Sequence, residues 1–248
     1  MIRLFRPPVP IELDAAKVAA LTAEFASTGA SVWKQKYIED ALQVMSYGKC
    51  CFCECKVDEE SKYAEIEHFH PKKRYPGEVV LWDNLFYICK RCNTTKLNHD
   101  TKLEPIINPA KDTPKTHLYL AAYRFYEKTD LGRKTIDVVD LNNRPRRIVE
   151  KRFELGTKIC ESLEEIWAEK IPAYLDDPTP NKMTRILNKF ELILQNATPD
   201  KEYSGSQATS IIEYAHYQEI KDFIINNNKW NERLQALHTI ICNNALLP

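Results

Sequence analysis

The sequence has little glycine, no excess of charge of either sign and no long apolar run. Only 6 of its 248 residues are glycine and no GxxxxGK[ST] string occurs, which disfavours a glycine-rich phosphate loop. The 35 basic and 35 acidic residues cancel, so the composition as a whole does not indicate a polyanionic partner. No segment approaches the roughly 18 apolar residues of a membrane helix, and residues 1–10 do not resemble a signal peptide. We therefore expect a cytoplasmic protein without membrane contact.

The cysteines are unevenly distributed along the chain. Six of the eight lie in two short segments: Cys50, Cys51, Cys53 and Cys55, and then Cys89 and Cys92. A disulfide scaffold would spread its cysteines through a small secreted chain. Clustering in a chain of this length indicates reduced thiolates that bind a metal.

Each cysteine segment contains a C-x-x-C motif. This spacing allows two sulfurs of one tight turn to bind the same tetrahedral ion at about 2.3 Å. We predict a structural Zn²⁺ site of four thiolates: Cys50, Cys53, Cys89 and Cys92. Cys51 and Cys55 could replace the first two, but the chosen pair has the same spacing as the second motif.

The segment between the two motifs offers different chemistry. Glu67 directly precedes His68 near the end of a predicted strand, and Asn93 follows the second motif at the start of a predicted helix. Carboxylate and amide oxygens bind hard cations such as Mg²⁺, and an imidazole with a pKa of about 6.5 can accept a proton from water. Phosphodiester cleavage needs these components. Strict alternation would place Glu67 and His68 on opposite strand faces, so we expect the strand to end or twist there.

The order of these motifs resembles the HNH nuclease family, whose ββα-metal motif runs C-x-x-C, acidic-His, Asn-Leu and C-x-x-C-Asn-x-x-Lys. The resemblance implies that Glu67 and Asn93 bind a catalytic Mg²⁺ or Mn²⁺ and that His68 is the general base. It implies that Asn84 orients the base and braces its loop, and that Lys96 contacts phosphate or acts as a strut. The final motif residue is Asn rather than the histidine of the family name.

Further segments, two of them within this part of the chain, are similar to one subgroup, the PtuB-like HNH subunits of Septu anti-phage defence systems. They are residues 1–8, 66–72, 105–109 and 139–147, and the resemblance covers about the first 155 residues. It implies a nucleic-acid substrate and an SMC/ABC-like ATPase partner (PtuA-like). Because such proteins also occur beside some retrons, it extends to a retron reverse transcriptase and its msDNA. The sequence does not distinguish DNA from RNA as the substrate.

Basic residues beside the motifs are candidates for contacts with a nucleic-acid backbone. They are Lys72, Lys73, Arg74, Lys90 and Arg91. Residues 49–104 contain ten basic and ten acidic side chains, so the core itself has no strong positive field. His70 is left open between a metal or phosphate ligand and a structural residue.

The patterns predict an α+β protein with a zinc-stapled ββα-metal (HNH) core in a mainly α-helical chain. We divide it into an N-terminal helical segment (1–48), the HNH core (49–110), a connector with a β-hairpin (111–144) and a C-terminal helical region (145–248). Helices are predicted at 11–27, 33–45, 146–170, 183–195, 211–226 and 230–247, although Gly156 weakens the third. β-like runs occur at 63–69, 79–82, 117–126 and 135–141, the last two joined by a turn at Asp130-Leu131-Gly132.

Two functions are compatible with these patterns. The first is a metal-dependent endonuclease that hydrolyses phosphodiester bonds of DNA or RNA. The alternative is a zinc-organised nucleic-acid-binding or assembly module with a degenerate nuclease core. Such a module would need only its cysteines, so the presence of Glu67, His68, Asn84 and Asn93 favours the enzyme.

Overall fold

The computed structural model describes residues 1–57, 64–145 and 147–248, and these ranges form a mainly helical α+β protein with two small sheets. The predicted α+β class is confirmed. The chain divides into two compact units: unit 1 comprises Met1–Leu118 and Tyr126–Leu141, and unit 2 comprises Tyr119–Phe125 and Asn142–Pro248. Tyr63 and Arg146, the first residues of a predicted strand and a predicted helix, lie outside the described residues. None of the helices in the described ranges combines the length and apolar character that crossing a membrane requires.

Unit 1 begins with two helices, α1 (Ala15–Thr28) and α2 (Lys36–Met45). The Asp14 side chain caps α1 by accepting a hydrogen bond from the Lys17 amide, and Gly29 ends the helix with a φ of 69°. Ile38 and Leu42 of α2 are fully buried. Both helices were predicted from the sequence, with starts about one turn too early.

A two-stranded antiparallel sheet and a short helix form the centre of unit 1. β1 (Ala64–His68) pairs with β2 (Leu85–Cys89), with His68 opposite Leu85. α3 (Lys90–Lys96) follows β2 directly, because the Cys89 sulfur accepts a hydrogen bond from the Cys92 amide and caps the first turn. All five residues of β2 are buried.

The predicted strand at 79–82 is wrong, and the strand β2 was not predicted. Val79 and Val80 are fully buried, but they lie in a turn, and Trp82–Asn84 forms a 3₁₀ turn immediately before β2. The apolar character of the two valines reflects burial rather than strand pairing. A short apolar run does not distinguish these cases by its periodicity.

The hairpin of the connector lies earlier in the chain than predicted. β3 (Leu118–Ala121) and β4 (Arg124–Glu127) are joined by Ala122 and Tyr123, which have φ values of 44° and 62°, as in a type I′ turn. The predicted turn at 130–132 and strand at 135–141 are wrong, because this segment forms α4 (Asp130–Val139). Thr129 accepts a hydrogen bond from the Gly132 amide at 3.3 Å and thereby starts a helix.

Apart from residues 119–125, the secondary structure of unit 2 is helical. Its helices are α5 (Ile148–Glu164), a π-helical segment (Glu165–Lys170), α6 (Ile171–Asp176), α7 (Pro180–Gln195), α8 (Ser204–Ile212), α9 (Tyr217–Asn226) and α10 (Glu232–Asn244). The helices predicted at 183–195 and 230–247 are confirmed. The helix predicted at 211–226 is divided between α8 and α9, with a turn in which the Tyr217 amide donates to the Tyr214 carbonyl.

The core of unit 2 includes apolar residues from α5, the π-helical segment, α7, α8, α9 and α10, among them Leu163, Phe190, Ile211 and Ile241. Gly156 allows the Tyr123 and Ser210 side chains to lie close to the backbone of α5. A Cβ atom at this position would lie 2.3 Å from Tyr123 Cε1 and 2.6 Å from Ser210 Oγ. The glycine that weakens α5 is therefore required by packing.

Candidate metal centre and active site

The four cysteines of the two C-x-x-C motifs form one buried cluster. The sulfurs of Cys50, Cys53, Cys89 and Cys92 all lie within 4.8 Å of one another. All four are buried, and none of them forms a disulfide within the described residues. Four thiolates at this separation can bind one tetrahedral metal ion.

Backbone hydrogen bonds hold the first cysteine pair against the sheet. The Cys50 amide donates to the Cys55 carbonyl at 2.9 Å, and the Glu54 amide donates to the Cys50 carbonyl at 3.0 Å, which closes a tight turn. The Cys51 amide donates to the Tyr87 carbonyl of β2 at 3.0 Å. The second pair spans the junction of β2 and α3, so the cluster fixes the start of α3.

The two alternative cysteines are not members of the four-sulfur cluster. Cys55 lies beside it, with its sulfur 3.4 Å from that of Cys53. Hydrogen bonds from neighbouring thiols, Cys50 first, lower the pKa of Cys53 well below its usual range and lower the pKa of Cys89 to about 4. A buried pair of thiolates is unfavourable alone, and a bound cation would balance its charge.

Glu67 lies on β1, and its carboxylate is buried against α3. Its Oε1 atom forms an ion pair with Lys96 Nζ at 2.5 Å, with the two side chains 6% and 0% exposed. Lys96 Nζ also donates a hydrogen bond to the His68 carbonyl oxygen at 3.2 Å. Burial raises the pKa of Glu67, and the Lys96 ammonium opposes this shift. Lys96 thus links α3 to β1 through these two contacts, which is a structural role.

His68 is the last residue of β1, and its imidazole ring is buried. Nε2 lies 2.9 Å from the Val79 carbonyl oxygen. Because a carbonyl oxygen only accepts, Nε2 carries the proton and Nδ1 retains a lone pair. The Trp33 ring contacts the imidazole edge-on, with 4.7 Å between ring centroids. Burial, with a smaller contribution from Lys72, lowers the pKa of His68 to about 3, so the ring is neutral near pH 7.

Asn93 contacts Glu65 rather than Glu67. Its Nδ2 atom donates a hydrogen bond to Glu65 Oε2 at 2.6 Å. Glu65 and Glu67 are two residues apart and share one face of β1, and Asn93 and Lys96 are three apart on one face of α3. Two carboxylates of β1 are therefore paired with an amide and an ammonium of α3.

Asn84 braces the loop between β1 and β2. Its Oδ1 atom accepts from the His70 amide at 2.7 Å, and its Nδ2 atom donates to the carbonyls of His70 and Glu78 at 3.2 and 3.1 Å. The His70 ring lies in the same loop, with Nδ1 2.7 Å from Thr101 Oγ1. The Thr101 hydroxyl donates to the Phe69 carbonyl at 2.8 Å. These contacts give His70 a structural position.

A carboxylate and an amide lie near α3, on Glu67 and Asn93. Glu67 Oε1 is buried, and the Lys96 ammonium balances its charge. Because Asn93 Nδ2 faces a carboxylate, Oδ1 is the amide atom left over, and it accepts no hydrogen bond from any residue in the described ranges. Carboxylate and amide oxygens are ligands that Mg²⁺ and Mn²⁺ accept.

A cavity of about 500 Å³ lies beside β1. Its lining combines Ser31, Trp33, Lys34 and Glu39 with parts of both strands and α3, and it includes Glu65, Lys72, Lys90 and Asn93. Lys72 Nζ lies over the Trp33 ring, 4.7 Å from its centroid. Two of the five predicted nucleic-acid contacts thus reach this cavity.

The other predicted residues lie elsewhere. Lys73 and Arg91 are exposed and do not line the cavity, and Arg74 forms an ion pair with Asp100 at 3.1 Å. Glu67 and His68 are buried and do not line the cavity. The structure therefore brings together Glu67 with Lys96 and Asn93 with Glu65. Of the predicted basic residues, only Lys72 and Lys90 line the cavity beside them.

Three groups around the site were missed by the sequence analysis: the Trp33 ring, the Glu65 carboxylate and the Val79 carbonyl. Strand alternation places Glu65 on the same face as Glu67, so a signal for Glu65 was present. The contacts of His68 with Trp33 and Val79 join segments that are distant in the chain, and no local pattern predicts them.

Fold and site define an α+β protein in which a four-cysteine cluster, capable of binding a metal, anchors a ββα element. No protein-family model matches the sequence. The chain is 41% identical over 239 residues to the Septu protein PtuB of Bacillus thuringiensis, covering 96% of this chain and 92% of that protein. It is 29% identical over 181 residues to the Septu protein PtuB of Bacillus mycoides (strain KBAB4), covering 60% of each chain. The chain belongs to the Septu PtuB family, as the subgroup resemblance predicted.

Proposed function

We propose that this chain is a metal-dependent HNH endonuclease, the nuclease subunit of a Septu anti-phage defence system, acting on DNA or RNA. The observation that carries the proposal is the orientation of the His68 imidazole. Its Nε2 proton is committed to the Val79 carbonyl, which leaves Nδ1 as a proton acceptor. This base lies next to Glu67 in a ββα element whose helix carries Asn93.

In the proposed reaction His68 accepts a proton from a water molecule at Nδ1. The water oxygen forms a bond to phosphorus while the bond from phosphorus to the leaving oxygen breaks. A Mg²⁺ or Mn²⁺ ion held by Glu67 and Asn93 would supply positive charge to the phosphate and the leaving oxygen. Asn84 holds the loop that follows His68, and Lys96 holds β1 against α3.

Basic residues around this element are proposed to bind the phosphate backbone. Lys72 and Lys90 line the cavity and would contact phosphates nearest to the reaction. Lys73, Arg74 and Arg91 are proposed as outer contacts. For the cysteine cluster we propose Zn²⁺, because four thiolates in a closed tetrahedral set are typical of structural zinc.

We also propose an SMC/ABC-like ATPase (PtuA-like) as the partner, because the PtuB-like resemblance implies such a subunit. A retron reverse transcriptase with its msDNA and the cytoplasmic location stay predictions from the sequence. Co-purification of the chain with the ATPase expressed beside it would support the partnership. A fully active lone monomer would contradict a requirement for it.

Substitution of His68 by Ala tests the enzyme proposal. We expect cleavage of a labelled nucleic acid in Mg²⁺ or Mn²⁺ to fall about 10²- to 10⁴-fold, because the general base is lost. Asn93→Ala should also reduce cleavage, EDTA should abolish it, and His117→Ala, outside the ββα element, should retain wild-type rates. Equal rates in His68→Ala and wild type would contradict the mechanism.

A zinc-organised binding module is the second candidate, and one observation favours it. Lys96 already balances Glu67, and Glu65 already engages the Asn93 amide, so neither side chain needs a cation to be satisfied. Such a module would bind nucleic acid and zinc, and neither Mg²⁺ nor Mn²⁺ would induce cleavage by the wild-type protein with its ATPase partner.

A further inference from the structure

We propose that Glu65 is a positioning residue that orients the Asn93 amide, so that the amide oxygen rather than the nitrogen faces the divalent cation. The inference rests on the proposed function, which makes Asn93 a ligand of that cation. The motif that resembles the HNH family assigns no role to Glu65.

The first step of the argument is chemical. The two ends of an Asn side chain are nearly equal in size, and rotation about its last bond exchanges them. Only the oxygen has lone pairs available for a cation, because the NH₂ group is a donor. Asn93 can serve as a ligand only if a neighbour selects one of the two orientations.

Glu65 makes that selection. A carboxylate only accepts hydrogen bonds, so the 2.6 Å contact with Glu65 Oε2 requires the amide nitrogen to face β1. The bond joins a strand to the adjacent helix, and both side chains are partly buried. The reversed amide would bring two oxygen atoms together and is therefore disfavoured.

A second acidic residue provides a matched control. Glu39 of α2 lines the same cavity as Glu65 and carries the same charge. Among the described residues the Asn93 amide nitrogen donates its hydrogen bond to Glu65 and not to Glu39. Removal of Glu39 therefore subtracts a negative charge from the cavity without freeing the amide.

The test is Mn²⁺ binding to the full-length protein with its cysteine site loaded with zinc. Free Mn²⁺ is measured by electron paramagnetic resonance during titration, so the measurement does not depend on cleavage. We expect Glu65→Ala to raise the dissociation constant about 10- to 100-fold, the range typical of residues that orient a metal ligand. Glu65→Gln should stay within about threefold of wild type, because its Oε1 can still accept from Asn93. Glu39→Ala should bind like wild type.

Each outcome has a distinct meaning. Loss of affinity in Glu65→Ala with retention in Glu65→Gln supports the positioning role. Equal losses of affinity in both variants would show that Glu65 acts through its charge, which would overturn the positioning role. A wild-type dissociation constant for Glu65→Ala, together with weak Mn²⁺ binding by Asn93→Ala, would also overturn it. A wild-type constant in Asn93→Ala would instead contradict the proposed cation ligand. Zinc content and far-ultraviolet circular dichroism identify any variant that fails to fold. If Glu65→Ala fails to fold, the Glu65→Gln variant tests the inference by itself, and weak Mn²⁺ binding by this variant contradicts the positioning role.

Discussion

At the scale of single residues, the pairing of Glu67 with Lys96 has consequences for stability as well as for the site. Both side chains are almost completely excluded from solvent. A buried ion pair contributes little compared with an apolar pair, but removing one partner leaves an uncompensated charge in a medium of low polarity. Lys96 is thus expected to be essential for folding even where its charge takes no part in chemistry.

Lys96→Met should lower the free energy of unfolding by about 3–5 kcal/mol, because Glu67 would be left buried and unpaired. Urea denaturation measures the change. Lys90→Met, at an exposed position of the same helix, should have a much smaller effect. The double variant Lys96→Met, Glu67→Met should recover much of the loss, and identical midpoints for the wild type and the single variant would disprove the role of the pair.

The order of the motifs selected Glu67, His68 and Asn93 as candidate site residues, but it did not indicate which side chains they contact. Which carboxylate faces Asn93 depends on the register of β1 against α3. That register is set by packing and by the Glu67–Lys96 contact, neither of which has a local sequence signal.

At the scale of elements, the sequence analysis was wrong where a helix cap or an atypical turn set the local structure. Asp130-Leu131-Gly132 suggested a hairpin turn, yet Thr129 caps the segment and makes it the first turn of α4. The observed hairpin turn uses Ala122 and Tyr123, both with positive φ and neither a typical residue for such a turn. Helices with strong apolar periodicity were predictable, because their burial repeats along the chain.

Gly156→Ala tests the close packing of Tyr123 and Ser210 against α5 in unit 2. Alanine normally stabilises a helix interior by about 0.5–1 kcal/mol relative to glycine, but the added methyl group would overlap Tyr123 and Ser210. Overpacking typically costs about 1–3 kcal/mol, so we expect net destabilisation in urea denaturation. Gly77→Ala is the control, since its Cβ would meet no atom within 4 Å. Equal or greater stability of Gly156→Ala would show that the contact is readily relieved.

At the scale of the whole molecule, the balanced charge limits how the protein can attract a nucleic acid. With 35 basic and 35 acidic residues there is no long-range positive field. Binding must then depend on a few local phosphate contacts or on a partner. The salt dependence of binding counts such contacts, because each neutralised phosphate releases counterions.

Lys90→Gln should reduce the slope of log binding constant against log salt concentration by about 0.9 for duplex DNA, which corresponds to one lost phosphate contact. Fluorescence anisotropy without added Mg²⁺ or Mn²⁺, where we expect no cleavage, provides the measurement and leaves the cysteine cluster loaded. Lys17→Gln, at an exposed position of α1, should leave the slope unchanged. Equal slopes for Lys90→Gln and the wild type would contradict a phosphate contact by Lys90.

The shortness of α3 has a consequence for the living cell. A helix of seven residues is far below the length that persists in water without support. It is held at one end by the cysteine cluster and at the other by Lys96, so we expect that a newly made chain whose cluster holds no metal lacks a defined place for Asn93. The amount of folded protein should then follow the supply of that metal during growth, without any change in its synthesis.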